Sequence, residues 1–425
     1  MRNLQSYFRA MLVTILPALL ILAACSQQPT AVQSESSVQS TITSIQKIAD
    51  NECVKGQTEA GAYYIICMPD DWNGDLVMFA HGYVSPTEPV ELQEDQLYTS
   101  DGSYIPDIIT DMGYAFATTS YRANGLVVQE AIMDLEELVN IFDELYGQPQ
   151  HNYLVGGSEG GLITTKSVES KDLYSGGLAA CGPIGDFIAQ INYMGDFRVL
   201  FDFYFPDVLP PSPISIPQEV MDHWDDVYVP KIIQAITDYP DRTLQLLRVA
   251  RAPFDPDDPE TIGQTVLGLL WYNVFATNDL NQRAGGNPFD NHDRHYFGSD
   301  NDAYLNKNVE RFTADPQAVE AVNQKFQTTG IPSVPLITMH TAGDPIVPFW
   351  HERMYRSKVA ENGNIFFYHN YPIVRYGHCT FTEEEILQAF TALVLQVQAL
   401  EKSKELPMPP VHPPITRAGV YSASN

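Results

Sequence analysis

The chain has 425 residues, with 24 Lys and Arg against 53 Asp and Glu, a formal net charge of −29. That balance excludes a general nucleic-acid binder, which needs a basic footprint on phosphate, and a polybasic grip on anionic lipid. A content of 44% apolar and 11% aromatic residues excludes wholesale disorder and leaves room for one large domain with an insertion, or two domains.

The N-terminus reads as a targeting segment. Arg2 and Arg9 precede an apolar run from Ala10 to Ala24, which contains Pro17 and is short for a bilayer span. The run closes on Leu22-Ala23-Ala24-Cys25, which resembles the bacterial lipoprotein signal. The resemblance implies that residues 1–24 are removed and that Cys25 is lipidated and becomes the new N-terminus. The protein would then be exported to the cell envelope and held at a membrane by lipid alone. Losing two arginines would take the charge from −29 to −31. An ordinary secretory signal is the alternative. Residues 25–47, rich in Ser, Gln and Thr, read as a flexible tether.

Beyond Cys25 the chain holds Cys53, Cys67, Cys181 and Cys379, an even number suited to an oxidising compartment. Three pairings are open. Cys53–Cys67 would staple a short hairpin, and Cys181–Cys379 would then be the long-range bridge; unpaired buried thiols are the alternative.

From residue 48 the pattern alternates strand and helix. Ala62–Met68, Asp75–Ala80, Tyr114–Ser120, His151–Val155, Gly177–Cys181, Pro335–His340 and Ile365–His369 are apolar runs that predict strands. Val128, Ile132, Leu135, Val139, Phe142 and Leu145 recur at helical spacing, and Glu159–Ser170 and Glu383–Leu400 predict two further helices. The alternation predicts an α/β fold, a mostly parallel sheet with helices on both faces. The rhythm breaks at residues 187–332, aromatic, proline-rich and helical in pattern, too long for a loop and placed where a cap would cover a ligand site. The division is therefore a core of residues 48–186 and 333–402, a mainly helical cap of 187–332, and a Pro-rich tail of 403–425. No internal repeat is visible.

The most informative segment is Tyr153-Leu-Val-Gly-Gly-Ser-Glu-Gly-Gly-Leu162, in which Gly156-x-Ser158-x-Gly160 lies between a predicted strand and a predicted helix. A serine hydroxyl is a poor nucleophile unless a tight turn exposes it, a base takes its proton and N–H donors stand beside it. Asp344 follows a buried strand in Gly343-Asp-Pro-Ile-Val-Pro348, and His378 precedes the last helix in Tyr376-Gly-His-Cys379. The order Ser158, Asp344, His378 suits a triad in which the histidine takes the serine proton and the aspartate fixes its tautomer. No cofactor and no metal is called for.

These residues resemble the α/β-hydrolase superfamily over roughly Tyr63–Leu400 apart from the cap, with the cap inserted between the nucleophile and acid segments. Val77-Met-Phe-Ala-His81-Gly82-Tyr83 resembles the superfamily's oxyanion loop. The resemblance implies that the backbone N–H groups of Tyr83 and Glu159 hold the oxyanion. The side chain of His81 then serves either the site or its own loop. Cys379, directly after the histidine, resembles the tannase and feruloyl-esterase branch, which bonds it to a cysteine just before the serine. Gly157 occupies that position here, so the resemblance leaves Cys181 as the substitute partner of Cys379.

Residues 285–302 are dense in oxygen side chains without EF-hand spacing, and read as a hydrogen-bonded loop rather than a calcium site. His292 and His295 lack zinc-protease spacing. Trp224, Trp271, Phe201, Phe203, Tyr204 and Phe205 read as cap core, and Arg122 and the Glu159 side chain as solvated charges. The expected activity is serine hydrolysis of a carboxylic ester on a small or oligomeric acyl substrate. Alternatives are a serine peptidase, aminopeptidase-like or prolyl-oligopeptidase-like, and a silent binding protein on the same scaffold. A full propeller does not fit before Ser158.

Overall fold

A computed structural model describes residues 41–48 and 51–405. Cys25, the signal and most of the tether lie outside them, as does the tail from residue 406. Nine strands form one sheet: β1 Thr41–Ile48, β2 Asn51–Gln57, β3 Tyr63–Met68, β4 Leu76–Ala80, β5 Ala115–Thr119, β6 Asn152–Gly157, β7 Gly176–Ala180, β8 Leu336–Gly343 and β9 Tyr368–Tyr376. Their order is β1-β2-β3-β5-β4-β6-β7-β8-β9. The pairs β1–β2, β2–β3 and β3–β5 are antiparallel, and every pair from β5 to β9 is parallel. Strands β4 and β5 are buried at every residue, the expected state of a parallel strand covered on both faces.

The helices are α1 Ile105–Asp111, α2 Val128–Tyr146, α3 Glu159–Ser170, α4 Phe187–Tyr204, α5 Gln218–Asp222, α6 Val229–Asp238, α7 Pro240–Ala250, α8 Glu260–Ala284, α9 Asp302–Asn308, α10 Pro316–Phe326, α11 Trp350–Glu361 and α12 Glu383–Glu405. The apolar stripe on α2 that includes Val128, Ile132, Leu135 and Phe142 is buried, and Gly147, at φ 86°, follows its last turn. Two apolar layers flank the sheet. One includes α2, α3 and the helices α4–α10, which all lie between β7 and β8. The smaller one packs Val77, Phe79, Phe116 and Leu178 of the sheet against Ile109 of α1 and Phe390 and Leu393 of α12. This strand order, with an antiparallel start, a parallel body and helices on both faces, is the α/β-hydrolase fold.

Three expected elements differ. Thr41–Ile48, read as the end of the tether, pairs with β2 as strand β1; its Thr and Ile residues favour extended backbone once a partner edge is present. Ile365–Phe367 is a 3₁₀ turn, and the strand expected at Ile365–His369 runs instead from Tyr368 to Tyr376. The apolar run misleads because it faces water, with Phe366 70% exposed. The true strand contains Pro372, tolerable because β9 is the sheet edge. Helix α12 runs to Glu405, taking in residues 403–405 that were read as tail.

Both expected disulfides form. Cys53 and Cys67 face each other in the β2–β3 register, their Cα atoms 4.0 Å apart. Cys181, just past β7, is joined to Cys379 with a Cα separation of 5.5 Å. No helix among the described residues is long and apolar enough to cross a membrane.

Candidate active site

Ser158 sits between β6 and α3 at φ 57° and ψ −122°, a backbone conformation that costs a non-glycine residue energy and persists only where its surroundings enforce it. Here the enforcement is close packing of backbone. A Cβ on Gly160 would stand 1.9 Å from the Ala80 carbonyl oxygen, and one on Gly156 would stand 2.3 Å from that of Gly160. The Ser158 N–H donates to the Ala180 carbonyl at 2.9 Å. Small residues thus let strand, turn and helix close together, and the side chain of the turn residue projects from the sheet's C-terminal edge.

Asp344 follows β8 and His378 follows β9, and the sheet brings both to Ser158. His378 Nδ1 lies 2.7 Å from Asp344 Oδ2, and its Nε2 lies 2.9 Å from Ser158 Oγ. An ionised carboxylate only accepts, so Nδ1 carries the proton and Nε2 is free to accept from the serine hydroxyl. The other oxygen of Asp344 accepts the N–H groups of Ile346 and Val347, each at 2.9 Å. Burial opposes the charge on Asp344, but His378 and then His340 hold its carboxyl below the ordinary value.

The loop after β4 approaches Ser158 from the other side. The Gly82 N–H is taken by Gln96 Oε1 at 2.6 Å, whereas the N–H groups of Tyr83 and Glu159 have no acceptor among the described residues. Glu159 opens α3, so its amide also carries the partial positive charge of a helix N-terminus. His81 serves its own loop. Its ring stacks on Tyr121 at 3.9 Å, its Nδ1 donates to the Gly82 carbonyl at 2.7 Å, and burial lowers it to about 4, so it is neutral.

The Glu159 side chain is not a solvated charge. It is 5% exposed, and Oε1 has no hydrogen-bond partner among the described residues. Burial first, then the charge of Asp279, lifts its carboxyl well above the ordinary value. The first turn of α3 packs under the chain ahead of α2, which removes most of this side chain from water. Arg122 is also committed, its Nε donating to the buried Asp134 at 2.7 Å. In the 285–302 loop Asp290 accepts from the amides of His292 and Ala314 and Asp302 from that of Ser299, while the exposed Asp293 and Asp300 pair with His292 and Arg248. Cys181, His378 and Cys379 form the one metal-like cluster among the described residues, and its two sulfurs are already joined.

Two cavities meet at Ser158. One lies beneath the helices inserted between β7 and β8 and is lined by Glu159, Phe187, Ile191 and Leu280 among others. The second passes down the opposite face of the sheet between α1 and α12. Tyr83 and Tyr272 border both. Tyr272, on α8, borders the cavities beside Ser158, and burial, then the charges of Asp344 and Glu159, push its hydroxyl far above the ordinary range. The Tyr83 hydroxyl donates to the Phe275 carbonyl of α8 at 3.0 Å, tying the loop after β4 to the insertion.

Tyr272, Gln96 and His340 are the site residues that the sequence did not disclose. No motif marks them, since each reaches the site through tertiary packing. The only trace is Tyr272 beside Trp271, in a run that reads equally well as helix core. Trp224, Phe201, Tyr204 and Phe205 are core, as expected.

No protein-family model matches the chain, and no curated protein sequence does. Among solved structures it is similar to an esterase from Aspergillus oryzae, at 14% identity over 82% of this chain and 80% of that one, with a TM-score of 0.46. It is also similar to feruloyl esterase B from Aspergillus oryzae, at 15% identity over 86% and 88%, with a TM-score of 0.47. Pyrococcus horikoshii acylaminoacyl peptidase gives 12% identity over 85% of this chain but 41% of that one, with a TM-score of 0.40.

Proposed function

We propose that the protein is a serine hydrolase that cleaves a carboxylic ester through an acyl-enzyme. The observation that carries this reading is the unbroken line from Ser158 Oγ through His378 to Asp344, with hydrogen bonds of 2.9 and 2.7 Å. In the proposed reaction Ser158 Oγ bonds to the substrate carbonyl carbon as its proton passes to His378 Nε2. The carbonyl electron pair moves onto oxygen, held by the N–H groups of Tyr83 and Glu159, each worth about 3 kcal/mol in such a position. Collapse expels the alcohol oxygen, which takes the proton from His378. Water then repeats the sequence on the acyl-enzyme, releasing the acid and restoring Ser158.

A second reading, hydrolysis of an aminoacyl amide, has one specific support. The buried carboxyl of Glu159, unpartnered at Oε1 and lining the cavity beneath the insertion, suits a substrate ammonium group. A panel of p-nitrophenyl acyl esters and aminoacyl p-nitroanilides, run on wild type and Ser158→Ala, decides between them. Ester turnover that falls about 10⁴–10⁶-fold in the variant supports the first reading. Amide turnover with negligible ester turnover replaces it with the second, and full activity in Ser158→Ala removes both. The silent-scaffold alternative predicts no turnover in either protein. The paired cysteines and the signal-like N-terminus support an exported protein, held at a membrane by lipid on Cys25. Radiolabelled palmitate incorporated by wild type but not by Cys25→Ser tests the anchor.

A further inference from the structure

The second cavity has no role in the reaction as described so far, yet it opens on the reacting atoms. Ser158, His378 and Gly157 lie at its mouth. From there it follows the sheet face that carries Val77, Phe79, Phe116 and Leu178, and it is walled on the far side by Ile108 of α1 and Ile386 of α12.

Its chemistry is one-sided. Among the described residues no Asp, Glu, Lys or Arg lines it. Two of the polar groups that face it are already used: the Gln96 carbonyl oxygen accepts from the Gly82 N–H, and the Thr99 hydroxyl donates to Asp101. A charged ligand group would be desolvated there without a charged partner, at a cost that an apolar chain does not meet.

Gly157 supplies an independent observation. Gly156, Gly160 and Gly161 are required by backbone oxygens that a Cβ would strike at 2.3, 1.9 and 2.7 Å. A Cβ on Gly157 would meet only Cys379 Sγ, at an ordinary 3.9 Å. The turn therefore has no packing need for a bare residue at this position. The missing side chain leaves space beside Ser158 at the point where the cavity begins.

We propose that this cavity holds the acyl chain of the substrate, and that the substrate class is esters of medium- to long-chain aliphatic acids. The alcohol portion then lies in the other cavity, beneath the insertion. The inference rests on Ser158 being the nucleophile, and it deepens that reading by naming the acid. With the chain running down the sheet face and the carbonyl oxygen turned towards the amides of Tyr83 and Glu159, the leaving oxygen faces Glu159 and α8.

Alkylphosphonate p-nitrophenyl esters test this without relying on turnover, because they bond to Ser158 Oγ and expel p-nitrophenolate once. The rate of labelling, read by intact mass and by peptide mapping to Ser158, is compared for methyl and octyl probes. Burying each methylene is worth about threefold to fourfold. The octyl probe is therefore expected to label wild type at least about 30-fold faster than the methyl probe, the gain from three or more buried methylenes. In Ile108→Trp and Ile386→Trp, two conservative fillings at half-buried positions, the octyl-to-methyl ratio is expected to fall at least tenfold. In Leu280→Trp, which fills the other cavity, the ratio stays at the wild-type value. Thermal melting checks that each variant is folded. An equal rate for both probes in wild type overturns the proposal, as does a ratio lost in Leu280→Trp but kept in the other two. Failure of both probes to label Ser158 removes the nucleophile assignment itself, and the acyl-chain assignment with it.

Discussion

His340 Nε2 stands 3.4 Å from Asp344 Oδ2, the same oxygen that receives the N–H of His378, so the carboxylate lies between two imidazoles. His340 is fully buried within β8. Its Nε2 donates to the Val347 carbonyl at 2.7 Å, and its Nδ1 lies 3.1 Å from Glu352 Oε1. Glu352 also accepts from the hydroxyls of Thr338 at 2.7 Å and Tyr368 at 2.8 Å. A carboxylate on each side favours the imidazolium. The result is a buried cation that holds the Asp344 carboxylate from behind.

That arrangement has a pH signature. Burial alone would lower His340, but its bonds to Asp344 and Glu352 raise it from 6.5 to about 10. A raised value in the folded state means that the stabilisation is complete below about 6.5 and is lost as pH climbs towards 10. His340→Gln is expected to cost about 3–5 kcal/mol at pH 6, because it leaves Glu352 buried without its cation. Urea denaturation at pH 6 and pH 9.5 should show the gap between wild type and variant narrowing at the higher pH. A gap that widens would place a neutral histidine there. The looser hold on Asp344 should also lower kcat about tenfold with KM little changed.

The turn offers a contrast between neighbouring glycines. Gly160→Ala drives a Cβ into the Ala80 carbonyl and is expected to abolish soluble, folded protein. Gly157→Ala meets one sulfur at van der Waals distance and is expected to fold with a melting temperature within about 3 °C of wild type. Equal damage from the two would mean that position 157 carries a backbone constraint beyond its own contacts.

The reach of the sequence follows from which features are local. The strand before Ser158, the turn and α3 are contiguous, and a Gly-x-Ser-x-Gly between a strand and a helix is legible because the backbone itself demands the small residues. Asp344 and His378 were legible through their order along the chain and the loops that carry them. Tyr272 and His340 were not: Tyr272 stands 114 residues of chain away from Ser158, and His340 meets Asp344 and Glu352 only through the way the chain folds back after β8. Glu159 misled for a related reason. A charged residue beside an exposed nucleophile reads as solvated, and only the packing of α3 under the chain before α2 buries it. Strand β9 shows the opposite failure, where an apolar run at 365–367 outweighed an alternating edge strand containing proline.

The two disulfides should differ in what they protect. Cys53–Cys67 closes a short loop at the sheet's antiparallel end, and the chain-entropy argument assigns it about 3 kcal/mol. Cys181–Cys379 spans 198 residues, is worth about 5 kcal/mol on the same argument, and anchors the residue next to His378. Replacing both cysteines of the first pair with serine is expected to lower the melting temperature and leave kcat/KM within about twofold. The same change in the second pair should lower both, with kcat/KM down at least about tenfold as His378 loses its fixed position. Activity measured well below both melting temperatures separates the effects. Equal kcat/KM in the two double variants would reduce the Cys181–Cys379 bridge to a stability role.

Tyr272 links the helices inserted between β7 and β8 to the proposed reaction. Its ring lines the site beside Ser158, and burial near Asp344 and Glu159 keeps its hydroxyl protonated throughout the working range, so it can act as a donor and not as a base. In the proposed reaction negative charge grows beside that hydroxyl as Ser158 Oγ bonds to the carbonyl carbon, so a donor there would favour the tetrahedral intermediate. Tyr272→Phe removes the donor and keeps the ring that packs on Tyr83 at 5.8 Å. The expected result is a fall of about tenfold or more in kcat with KM little changed, and no new ionisation in the pH profile. A variant with unchanged kcat and a raised KM would make Tyr272 a wall of the pocket. A faster variant would mean that the tyrosine restrains Ser158 in the free enzyme and must be displaced before attack.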